Sequence, residues 1–234
     1  MSLLEVNIPS PKKLRGGWAV KAAIDAAQGG NNIYVYAEDN FWYYNDGSGN
    51  WVCLRFRNDK QAVLFGYDHE YSQTFFKNAA QDFRETETNL LKDAPSWWAE
   101  LIEPPDDQPY VGFIYGWDSE GWSRASYQVS DGFKHVGLLQ AIKVIGRNSL
   151  SDSLIDFPES WRPKELWNGL VNYILVVKIL RNLVNADARI SQDEFEQLVQ
   201  LDSRISVTSP KYFPVVDSNA GVLASRKFTA ININ

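Results

Sequence analysis

The chain has 234 residues, with 23 Lys and Arg against 29 Asp and Glu, for a formal net charge of −6. Hydrophobic residues at 44% and aromatics at 14% supply a real core and exclude a disordered chain. The acidic balance argues against nucleic acid as the main partner, because phosphate binding needs a basic face.

Residues 1–15 hold Pro9 and Pro11 and read as an extended arm without an apolar run of signal-peptide length. Residues 18–27 are Ala-rich, with apolar positions at 18, 19, 22, 23 and 26, a helical spacing that Gly29-Gly30 ends. A β-meander follows, with strands expected at 33–37, 41–44, 51–57 and 62–67. The Asp46-Gly47-Ser48-Gly49-Asn50 turn joins the second strand to the third. Every connection here is hairpin-short, so the sheet is expected to be antiparallel. In the third strand Trp51, Cys53 and Arg55 face one way, and Val52, Leu54 and Phe56 the other.

Residues 73–92 carry the spacing of a helix, and Ser96 is placed to cap a short one bearing Trp97 and Trp98. The acidic, Pro-rich stretch 103–109 reads as a stiff connector and the best candidate for a boundary between lobes. A strand is expected at 110–117, a partner at 122–129, and a helix at 133–145. The long helix expected at about 164–184 is apolar on nearly all sides. Asn168, Asn172, Lys178, Arg181 and Asn182 interrupt it, so it suits a core and not a membrane. A second helix is expected at 192–201, and the tail holds two possible strands. The fold class expected is α+β: a mostly antiparallel sheet with helices packed on it and a long buried C-terminal helix. Residues 1–150 would form the body, and 151–234 a helical pair and tail packed on it.

One pattern occurs twice. Phe65-Gly66-Tyr67-Asp68-His69-Glu70 matches Tyr115-Gly116-Trp117-Asp118-Ser119-Glu120 as aromatic, Gly, aromatic, Asp, any, Glu. Glycine between two rings permits close approach of another ring or backbone. The aspartates suit strand-end turns. If the two strand ends met, Asp68, Glu70, Asp118 and Glu120 would form a cleft attractive to a cation. Asp68, His69 and Glu70 are accordingly the alternative acid or metal cluster. His135 is the only other histidine, and no zinc-type spacing exists. Asn185, Asp187, Ser191 and Glu194 fall as in half of an EF-hand loop. Leu183 and Ala188 occupy positions that need Asp and Gly, and a Ser191-x-x-Glu194 capping box explains the same residues. There is no nucleophile elbow and no phosphate-binding glycine loop. No catalytic residue, metal or cofactor is assigned.

The window 93–123 holds seven acidic residues, seven aromatics and no Lys or Arg. Acid beside exposed rings suits a basic protein partner. The expected partner-binding residues are Trp97, Trp98, Asp106, Asp107, Trp117, Asp118, Glu120 and Trp122.

The string Asp46-Gly47-Ser48-Gly49-Asn50-Trp51-Val52-Cys53-Leu54, then Val63-Leu64 and Asp68-His69-Glu70, resembles the SMI1/KNR4 (SUKH) superfamily. Many of its bacterial members are immunity proteins that neutralise a cognate toxin. The resemblance implies α+β architecture, no catalysis and binding through an acidic face. With one cysteine, Cys53, a reducing compartment fits, so the chain is expected to be cytoplasmic. The reading is a protein-binding module that occludes a basic toxin, with a metal-dependent hydrolase as the alternative.

Overall fold

The computed structural model describes residues 2–12, 14–15, 18–19, 22, 26, 34–38, 40–133, 220, 223–224 and 226–228. The chain divides into two compact units, one of residues 1–14, 34–139 and 230–234, the other of residues 15–33 and 140–229. In the second unit Trp18, Ala19, Ala22 and Ala26 are helical and buried, as the Ala-rich spacing predicts.

The first unit is built on a seven-stranded antiparallel sheet. Its strands are β1 (Leu4–Val6), β2 (Val35–Glu38), β3 (Phe41–Asn45), β4 (Trp51–Phe56), β5 (Ala62–Tyr67), β6 (Phe113–Trp117) and β7 (Trp122–Arg124). The order is β1-β7-β6-β5-β4-β3-β2. It is therefore a meander of six strands, with the N-terminal strand laid beside the last. The arm expected at 1–15 is in part a strand, because Leu4, Glu5 and Val6 pair with Arg124, Ser123 and Trp122.

Alternation sets the two faces. Tyr43, Trp51, Cys53, Val63, Phe65 and Ile114 share one face and one core cluster. Their register matches the facing expected for β4. The excursion from 68 to 112, between β5 and β6, covers this face with Phe76, Leu90, Trp97, Trp98 and Val111. It carries two short helices, α1 (Asn78–Phe83) and α2 (Ser96–Leu101). On the opposite face Trp42, Tyr44, Leu54, Leu64 and Tyr115 are buried as well.

The α+β expectation is corrected. The first unit is mostly β, and the excursion that covers its seven strands carries only two six-residue helices. The helix expected over 73–92 shrinks to α1. Arg84 adopts a left-handed conformation that ends it, and the chain then returns so that Thr88 N–H bonds Phe75 C=O at 2.7 Å. Phe76, Ala79 and Ala80 supply the apolar spacing, while Leu90 and Leu91 belong to a separate turn. Ser96 is the first residue of α2 and not its cap, which is Pro95. The long buried helix at 164–184, the helices at 133–145 and 192–201, the 183–195 loop and the tail strands lie outside the described residues, apart from Phe133, Lys227 and Phe228. Residues on both sides of the 103–109 connector fall in the first unit. No helix among the described residues is long and apolar enough to cross a membrane.

Candidate functional site

The repeat builds the same turn twice. After β5, Asp68 Oδ1 accepts from the N–H groups of Glu70 and Tyr71, at 3.1 and 2.8 Å. After β6, Asp118 Oδ1 accepts from those of Glu120 and Gly121, at 3.2 and 3.3 Å. A carboxylate at the end of a strand thus satisfies amides that the sheet no longer pairs. The copies differ in burial: Asp68 is 1% exposed, whereas Asp118 is open to solvent.

The strands carrying the copies are neighbours but antiparallel, with Ala62 opposite Trp117. The two turns therefore lie at opposite ends of the β5–β6 pair, roughly 23 Å apart along the strands. Asp68 and Glu70 do not meet Asp118 and Glu120. The four-carboxylate cleft of the hydrolase alternative is not assembled. Among the described residues no group of three or more His, Cys, Asp and Glu is placed to hold a metal ion.

His69 faces another partner. The Gly-rich turn after β3 is tied by Asp46, which accepts from Ser48 N–H at 2.7 Å and from the Asn50 amide nitrogen at 2.7 Å. Asn50 Oδ1 in turn accepts from His69 N–H at 2.9 Å. The Gly-rich turn and the Asp68-His69-Glu70 turn thus meet at one corner of the sheet.

Three of the expected anchors are core residues. Trp97, Trp98 and Trp122 are only 9%, 2% and 2% exposed. Trp98 packs over Gly116, and Trp122 donates its indole N–H to Pro9 C=O at 2.9 Å. They form no exposed docking surface. Their volume wins over their amphipathic character, because the sheet face needs covering. Trp117 is half-buried against Trp122, with ring centroids 5.5 Å apart. Asp106, Asp107, Asp118 and Glu120 are exposed. Asp107 lies close enough to β2 and β3 to help raise the pKa values of Tyr36 and Tyr43, for which burial is the larger cause.

The exposed rings are elsewhere. Tyr67, Tyr110, Phe83 and Phe75 form a continuous ladder with successive centroid distances of 5.8, 5.0 and 6.0 Å. Phe83 is 46% exposed, and the other three rings are half-buried. The Tyr110 hydroxyl donates to Asp82 Oδ2 at 3.1 Å, and this bond to a carboxylate pushes the phenol above its ordinary pKa. Asp82, Glu85 and Glu87 are all exposed around the ladder's α1 end, with Arg84 among them. The ladder joins the end of β5, the loop before α1, the end of α1 and the segment before β6. Such distant positions leave no periodic trace in the sequence. The one available signal is Phe83 itself, a large ring set between Asp82 and Arg84-Glu85.

Compared with known proteins, the chain matches no protein-family model, no curated protein and no solved structure.

Proposed function

We propose that the chain is a non-catalytic protein-binding module that docks a basic protein on the ring ladder Tyr67–Tyr110–Phe83–Phe75 and its carboxylate rim. The ladder is the observation that carries this reading. A run of four rings, Phe83 open to solvent and the other three half-buried, supplies the apolar anchors that interfaces favour. Asp82, Glu85 and Glu87 supply the charge that attracts and orients a basic partner, in keeping with the net charge of −6. The resemblance of residues 46–70 to SMI1/KNR4 proteins favours one kind of partner, a toxin held inactive by occlusion in the cytoplasm. The free, buried Cys53 suits that compartment.

The test is affinity capture from the native cell at low and high salt, followed by titration of the captured protein against surface variants. A basic protein whose affinity falls at least tenfold with Phe83→Ser, and falls again with Glu85→Lys and Glu87→Lys, supports the reading. Equal binding by wild type and Phe83→Ser removes the ladder as the docking surface.

A further inference from the structure

Phe76, Ile102, Pro104, Pro109 and Val111 wall a cleft of about 130 Å³ beside the start of α1. This is slightly less than the cavity of about 150 Å³ that encloses benzene, and the cleft is open to solvent on one side, so it admits part of a ring or a branched aliphatic group. The remaining wall includes Lys77, whose ammonium lies 5.0 Å from the centroid of the Phe76 ring. A cation is thus placed at the edge of an apolar cleft, on a chain whose acidic residues outnumber its basic ones.

The backbone at Lys77 is unusual. Its φ of 47° and ψ of −110° fall where side chains are rarely found, and the turn is closed by Ala79 N–H to Phe76 C=O at 3.1 Å. These angles match the first central position of a type II′ turn, where glycine is the usual occupant. Such strain persists where surrounding structure imposes it, and it concentrates at ligand-binding positions.

We infer that this cleft is a binding site for a small apolar carboxylate. Its ring or branched body sits between Phe76, Ile102 and Val111, and its carboxylate pairs with the Lys77 ammonium. Apolar walls with one charge at the edge select such a molecule over both a hydrocarbon and a polar acid. The site is independent of the ring ladder.

The experiment titrates the isotope-labelled full chain with sodium benzoate and, separately, with benzyl alcohol at matched ionic strength. The amide signals of Phe76, Lys77, Ile102 and Val111 are followed. Saturable shifts are expected with benzoate, with affinity about tenfold above that for benzyl alcohol, the worth of one charge-assisted contact. Lys77→Gly suits the backbone and removes the charge, so it should erase this preference and leave benzyl alcohol binding unchanged. Phe83→Ser should leave benzoate binding intact, which separates this site from the docking surface. Absence of saturable benzoate shifts at these residues, or an undiminished benzoate preference in Lys77→Gly, would overturn the assignment.

Discussion

The indole of Trp98 fills the space above Gly116 on β6, where an added Cβ would lie 2.0 Å from two ring carbons. The glycine in the second aromatic pattern is thus the seat of a core tryptophan. Neither the sheet backbone nor a buried indole can yield easily. Gly116→Ala is expected to destabilise the chain by about 1–3 kcal/mol, the usual range for overpacking. Gly121→Ala is the control, because nothing lies within 4 Å of its added Cβ. It should change stability by less than about 0.5 kcal/mol. Urea unfolding of the two variants measures the difference, and equal midpoints would mean that the indole moves aside.

The two turn aspartates make the same bonds in different surroundings. Asp68 is buried, so its removal leaves the Glu70 and Tyr71 amides without an acceptor and with little access to water. Asp68→Ala should cost about 1–3 kcal/mol. At the exposed Asp118 turn, water replaces the lost carboxylate, and Asp118→Ala should cost less than about 1 kcal/mol. Thermal unfolding of both variants decides between this and a shared metal or catalytic role, which would leave stability equal in the two.

Much of the sheet was legible in the sequence. Short Gly- and Asn-rich turns between alternating segments at 33–67 announce a meander, and β3 to β5 fall within a residue of their expected positions. The fate of the repeat was half legible. Its aspartates read as turn residues, but whether the copies meet depends on strand direction, and a 45-residue excursion between β5 and β6 hides that. The tryptophans misled because composition does not distinguish a ring over a sheet from a ring in solvent. Trp97 and Trp98 sit on a short helix whose apolar side faces the sheet, and nothing in their own window reveals the sheet they cover. The ladder was invisible for the same reason, since its four rings come from four separate places in the chain.

Lys77 makes a prediction opposite in sign to most substitutions. A residue with a side chain held at φ 47° and ψ −110° costs about 1–3 kcal/mol in strain, part of which glycine returns as unfolded-state entropy. Lys77→Gly should therefore stabilise the chain by about 1 kcal/mol, seen as a raised unfolding midpoint. A lowered midpoint would show that the Lys77 side chain contributes more through its contact with Phe76 than its backbone loses.

Cys53 sets the alkaline limit of stability. It is 2% exposed in the middle of β4, and burial pushes its thiol from 9.0 up to about 12, although Arg55 nearby pulls the other way. A thiol whose folded pKa is raised above its unfolded value favours folding fully below about pH 9. Above that pH the unfolded chain loses the proton while the folded chain keeps it. Stability should therefore fall by up to about 1.4 kcal/mol per pH unit as the pH rises toward 12. Buried tyrosines act in the same direction from higher pH, since burial also lifts Tyr43 and Tyr44 from 10.0 to about 12. Between pH 9 and 10 the tyrosines contribute equally to the wild type and to Cys53→Ala, so the difference between their slopes isolates the thiol. Urea unfolding across that window should show the decline in the wild type and a flatter profile in Cys53→Ala, whatever the fixed cost of the lost sulfur. Parallel slopes in the two proteins would mean that the thiol ionises as readily in the folded chain as in the unfolded one.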